Sequence, residues 1–90
     1  MRIKFSPKFD KQLQNSPHDV QRVVSIRLDL FVSNPYHPLL RNHKLVGEYM
    51  GRRSINITGD WRAIYREVDS LIDGPFAYFV ALGTHNQLYR

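Results

Sequence analysis

RRSINITGDWRAIYREV, residues 52–68, is the stretch whose reading decides the fold. In RRSINI, Ile55 and Ile57 share one side with Arg53, while Arg52, Ser54 and Asn56 point the other way. That alternation is the period of a strand with one buried face. WRAIYREV, 61–68, reads as a second strand with Trp61, Ala63 and Tyr65 as the core set and Arg62, Ile64 and Arg66 on the opposite face. Thr58-Gly59-Asp60 supplies the turn between them. Working outward, HKLVG from 43 precedes this pair as a strand, with Gly47 and Gly51 as turn residues, and FAYFVAL at 76–82 follows it beyond Asp73-Gly74-Pro75.

The N-terminal half has a different period. Residues 1–5 alternate as a short strand, and Ser6-Pro7 open a short helix to about Leu13. A second helix starts with Ser16 as cap, Pro17 in the first helical position and Asp19 closing a capping-box-like pair. Its apolar stripe is Val20, Val23, Val24, Leu28 and Phe31, widened by Ile26 and Leu30, and Asn34-Pro35 end it. NPYHPLLRNH, 34–43, holds two prolines and predicts an extended connection. The expectation is a single domain, with the helix pair burying its stripe on one face of an antiparallel sheet and the other face left free for function.

Composition narrows the function. Ninety residues, 42% hydrophobic with five Phe, five Tyr and one Trp, suit one globular core. MRIKFSPKF alternates charge with hydrophobe, unlike a signal peptide, and no apolar run approaches the ~18 residues of a membrane span. A soluble, cytoplasmic protein is expected. The absence of cysteine excludes disulfides, thiolate metal ligands and a cysteine nucleophile. Four histidines are present without HxxxH or HExxH spacing, so neither a metal nor another cofactor is expected. The net charge of +5 and pI near 9.9 favour phosphate-bearing partners or an acidic protein. From Arg41 to Arg66 there are six Lys or Arg and two acids, Glu48 and Asp60. The face assignment sets Arg62 beside Asn56 and Ser54, with Arg41, His43 and Lys44 arriving from the preceding loop: an anion site in outline.

The succession HKLVG, RRSINITGDWRAIY and GTHNQLY (83–89) resembles the RelE/ParE toxin superfamily, most closely its YafQ-like branch of mRNA interferases. The resemblance runs through the whole chain in element order, with its specific part in residues 41–89. It implies an α+β RelE-like fold, β-α-α-β-β-β, with two N-terminal helices on one face of a mainly antiparallel sheet. It also implies a toxin of a type II toxin–antitoxin system, held inactive by a cognate antitoxin in a hetero-oligomer. Its target would be mRNA on the ribosome, cut in the A site beside 16S rRNA.

Residue by residue, the resemblance makes His43, Asp60 and His85 catalytic positions, Arg62 the group at the scissile phosphate and Tyr89 an aromatic near the cut nucleotide. Arg41, Lys44, Arg52, Asn56 and Arg66 complete the expected RNA-binding set. Asn56 departs from the pattern, standing where YafQ-like toxins carry a second histidine and RelE a lysine.

Metal-free RNA cleavage explains these residue types. A base must take the 2′-OH proton, a cation must hold the phosphorane charge, and an acid must protonate the leaving 5′-oxygen. Histidine, with an unperturbed pKa of about 6.5, suits both proton roles, and arginine's permanent fork suits the charge. On this reading His85 is the acid, His43 or Asp60 the base, Arg62 the clamp and Asn56 a hydrogen-bond donor. Asp60 also suits a plain turn role, and His18 and His37 read as structural or solvated. Trp61 and Tyr65 read as core, and Tyr89 as the stacking aromatic. A ParE-like, gyrase-binding toxin or an inactive relative is the alternative, with a basic nucleic-acid-binding domain third.

Overall fold

The computed structural model describes residues 1–89. The elements run β1 (Ile3–Phe5), α1 (Pro7–Gln14), α2 (His18–Ser33), β2 (His43–Lys44), β3 (Arg53–Asn56), β4 (Trp61–Val68), β5 (Phe76–Thr84) and α3 (His85–Tyr89), with 3-10 turns at Pro38–Leu40 and Gly47–Tyr49. The sheet order is β1-β5-β4-β3-β2. All pairings are antiparallel except β1 with β5. The α+β class, the helix pair and the mainly antiparallel sheet are as the sequence predicts. One feature goes beyond the expected order, the helix α3.

The sheet faces sort as the alternation predicts. Ile55, Ile57, Ala63, Tyr65, Ala77, Phe79 and Leu82 form the main core with Phe9, Val20, Val24, Leu28, Phe31 and Leu40. A bulge at Val80 of β5, opposite the Ile64–Tyr65 step of β4, re-phases β5, so that Phe79 and Leu82 reach the same side although their spacing is odd. Phe31 meets Tyr65 and Phe79 edge-on at 5.0 and 5.3 Å, and Phe9 lies 5.6 Å from Phe79. Burial of each such ring contributes about 1.5–3 kcal/mol.

Several local expectations are corrected. Ser16 does not cap α2: its hydroxyl donates to the Leu13 carbonyl, Pro17 takes the cap position, and Gln21 Nε2 donates to the carbonyls of Leu13 and Ser16. The link between the helices is so tight that the end of α1 claims the serine. Ile26 does not widen the buried stripe; it is 59% exposed. The strand read in HKLVG stops after Lys44, because Gly47 at φ +67° starts a turn.

The second sheet face is not free either. Ile64, Ala81 and Leu88 form a small second core there, flanked by Leu45, Tyr49, Val80 and Tyr89. Helix α3 covers that patch. Its sequence signal is Thr84-His85-Asn86-Gln87, a capping box in which the Gln87 N–H donates to Thr84 Oγ1 (3.2 Å) and Gln87 Oε1 accepts from the Thr84 N–H (2.8 Å).

Candidate active site

What α3 leaves uncovered is an open cleft of about 490 Å³ lined by Arg41, His43, Leu45, Asn56, Arg62, His85 and Tyr89. Sheet register assembles much of it. His43 stands opposite Ser54, Asn56 opposite Arg62, and Arg62 opposite Gly83. The capping box then presents His85 as the first residue of α3, and the Asp60 carbonyl accepts from its backbone N–H at 3.0 Å. Among the described residues, no carboxylate lines the cleft.

His43 is oriented by its own loop. Arg41 has φ +45°, the one non-glycine positive φ among the described residues, a conformation that costs about 1–3 kcal/mol. Its carbonyl lies 2.8 Å from His43 Nδ1. A carbonyl only accepts, so Nδ1 carries the proton, and in the neutral ring Nε2 keeps its lone pair. Asn42, between these two residues, anchors the loop: its Nδ2 donates to Tyr65 Oη (2.7 Å) and to the Pro35 carbonyl (3.0 Å), and its Oδ1 accepts from Arg53 Nε (2.7 Å).

Arg62 folds over the β3–β4 turn. Nη1 donates to the Thr58 and Trp61 carbonyls (2.8 and 3.0 Å) and Nη2 to the Gly59 carbonyl (3.2 Å). Three of the five guanidinium donors are thereby used, and Nε–H with one Nη2–H remain for a ligand. His85 and Tyr89 form one aromatic wall, their rings 4.8 Å apart, and Tyr49 meets Tyr89 edge-on at 5.7 Å while its hydroxyl donates to the Leu88 carbonyl at 2.7 Å.

Of the predicted site residues, Arg41, His43, Asn56, Arg62, His85 and Tyr89 come together, and Asp60, Lys44, Arg52 and Arg66 do not line the cleft. Asp60 is exposed in the turn and contributes its backbone. Even the turn's side-chain acceptor is Thr58 Oγ1, which takes the N–H groups of Asp60 and Trp61, rather than the Asp60 carboxylate. Lys44 and Arg52 line a neighbouring hollow with Arg53 and Glu67, and Arg66 sits over the Tyr78 ring. His37 is structural, its Nδ1 accepting the Leu39 N–H, and His18 is exposed. Leu45, Tyr49 and Asn42 were not singled out from the sequence. Tyr49 left a trace there, the one aromatic in the turn between Gly47 and Gly51.

A helix-backed, mainly antiparallel sheet of this order is the fold of solved toxin structures. YafQ from E. coli strain BL21(DE3) matches it with a TM-score of 0.77 at 23% identity, covering 100% of both chains. A YoeB/ParE toxin from Agrobacterium tumefaciens matches with a TM-score of 0.74 at 18% identity, over 94% of this chain and 99% of its own. The E. coli DinJ-YafQ complex contributes a match at TM-score 0.65 and 23% identity, again over 100% of both chains. No curated protein sequence matches significantly. The family described as "Bacterial toxin of type II toxin-antitoxin system, YafQ" matches residues 1–90, and the chain belongs to it.

Proposed function

We propose that the protein, as a single toxin domain over residues 1–90, is a ribosome-dependent endoribonuclease that cuts mRNA without a metal, through attack of the 2′-OH on the adjacent phosphate. The observation that carries this reading is the convergence of two histidines, two arginines and a tyrosine on one cleft that no acid among the described residues lines. His43 is the general base, because its Nδ1–H is committed to the Arg41 carbonyl and Nε2 is left to take the 2′-OH proton. That Asp60 does not line the cleft supports His43 over it as the base.

His85, as imidazolium, gives its proton to the departing 5′-oxygen. Arg62, with Arg41 beside it, holds the charge that builds on the phosphorane, and Asn56 donates a hydrogen bond from the floor. Tyr89 supplies a ring on which an unstacked base rests. The products are a 2′,3′-cyclic phosphate and a 5′-hydroxyl end. Lys44, Arg52 and Arg66 serve as longer-range phosphate contacts, and a cognate antitoxin holds the toxin inactive in a hetero-oligomer.

Purified protein incubated with programmed ribosomes, followed by primer extension, tests the reading. Wild type should give discrete mRNA ends, and His85→Ala and His43→Ala should each slow cleavage by about 10²- to 10⁴-fold. Absence of cleavage by wild type, or equal cleavage by His85→Ala, would refute it. Inhibition of gyrase supercoiling in place of cleavage would point to the ParE-like alternative.

A further inference from the structure

A second hollow, about 390 Å³, adjoins the cleft and shares Arg41, Asn56 and Arg62 with it; Arg27, Leu39, Ile57, Thr58 and Gly59 complete its walls. Arg27 comes from the side of α2 and is the one residue of that helix in either lining. Three arginines thus face one open space with no acid lining it among the described residues, an arrangement of mutual repulsion that an anion relieves. Arg27 is half-buried, and its Nε is buried without a hydrogen-bond partner. A guanidinium so placed lacks one of the contacts a buried donor requires. Arg62 stands in the wall between the two spaces, and with three donors spent on the turn it presents its charge to both.

We propose that this hollow is a second phosphate subsite, which takes the phosphate next to the scissile one on the same strand, with Arg27 as its dedicated ligand and Arg41 and Arg62 shared between the two phosphates. The inference rests on the reading of the cleft as a nucleic-acid site. It assigns α2, otherwise a packing element, a direct role in threading the strand. Registration of two successive phosphates fixes which 2′-OH lies beside His43.

The test uses a thymidine dinucleotide without 2′-hydroxyls, which binds without being cut, in three forms: no terminal phosphate, a 5′-phosphate, and a 3′-phosphate. Affinities are read by NMR titration, following the arginine Nε–H signals. One of the two terminal phosphates should tighten binding to wild type by about tenfold, the worth of a charged hydrogen bond, and shift the Arg27 Nε–H signal. Which end does so reports the direction of the strand. Arg27→Gln should erase that gain, Arg27→Lys should restore part of it, and the salt dependence of the gain should fall by about 0.7 in log–log slope for the lost phosphate contact. Far-ultraviolet circular dichroism checks that both variants are folded. The proposal is overturned if Arg27→Gln keeps the gain, if neither phosphate gives one, or if no dinucleotide binds. A phosphate gain that depends on Arg27 in a protein that fails to cut mRNA on ribosomes would sustain the subsite and remove the nuclease reading.

Discussion

Tyr65 shows how a core residue reaches the site. Its ring is buried against Phe31 and Phe79, and its hydroxyl accepts from Asn42, the residue between the strained Arg41 and His43. Burial pushes its phenol above the ordinary value of 10.0, with the Asn42 hydrogen bond acting in the opposite direction. A raised folded-state value means that the stabilisation is complete below pH 10.0 and is lost as pH rises through the folded value. Tyr65→Phe should therefore cost about 1 kcal/mol near neutral pH and flatten the alkaline limb of a denaturant-midpoint against pH curve. At this scale the candidate site was largely legible. Arg62 and Asn56 share the face that strand alternation gives them, and His43 and His85 reach it from the loop and the GTHNQLY motif that the sequence reading named. Asp60 was not, because a turn aspartate and a catalytic one look alike until the direction of the side chain is known. Asn42, Tyr49 and Arg27 were hidden for a related reason: their partners lie far along the chain, and no local spacing announces them.

Among the elements, α3 decides whether the cleft exists. It is five residues long, too short to be stable alone, and is held by the capping box, by the Tyr49 hydroxyl and by Leu88 in the second core. Gly83 lets it approach β5: a Cβ there would stand 3.0 Å from Gln87 Oε1 and 3.3 Å from Leu88 Cγ. Gly83→Ala should push α3 outward, costing about 1–3 kcal/mol of stability, and should reduce cleavage while the far-ultraviolet spectrum is preserved. A crystal structure of the variant with α3 in place would contradict this. The sequence signal for α3 was present as T-x-x-Q, yet the strand pattern of FAYFVAL runs straight into it and conceals the change of period. Likewise the bulge in β5 inserts one residue that no alternation rule anticipates, and Ser16 had a helix end on each side competing for its hydroxyl.

The whole molecule is closed by its one parallel pairing. β1 lies against β5, and Lys4 Nζ donates to Asp73 Oδ2 at 2.9 Å across 69 positions of sequence. Arg2 adds a side-chain bond to the Asp73 carbonyl. The hydrogen bond and charge of Lys4 hold the Asp73 carboxyl below its ordinary 3.8. A lowered value makes this contribution present above pH 3.8 and lost as pH falls through the folded value. Lys4→Met should thus flatten the acid limb of the stability curve at low salt, with the difference from wild type vanishing in molar salt because the pair is exposed. The same topology orders events during synthesis. β1 is made first and has no partner until residues 76–84 exist, and His85 and Tyr89 come later still. On the proposed reading, a growing chain that has not yet reached His85 and Tyr89 has neither a closed sheet edge against α3 nor a complete cleft.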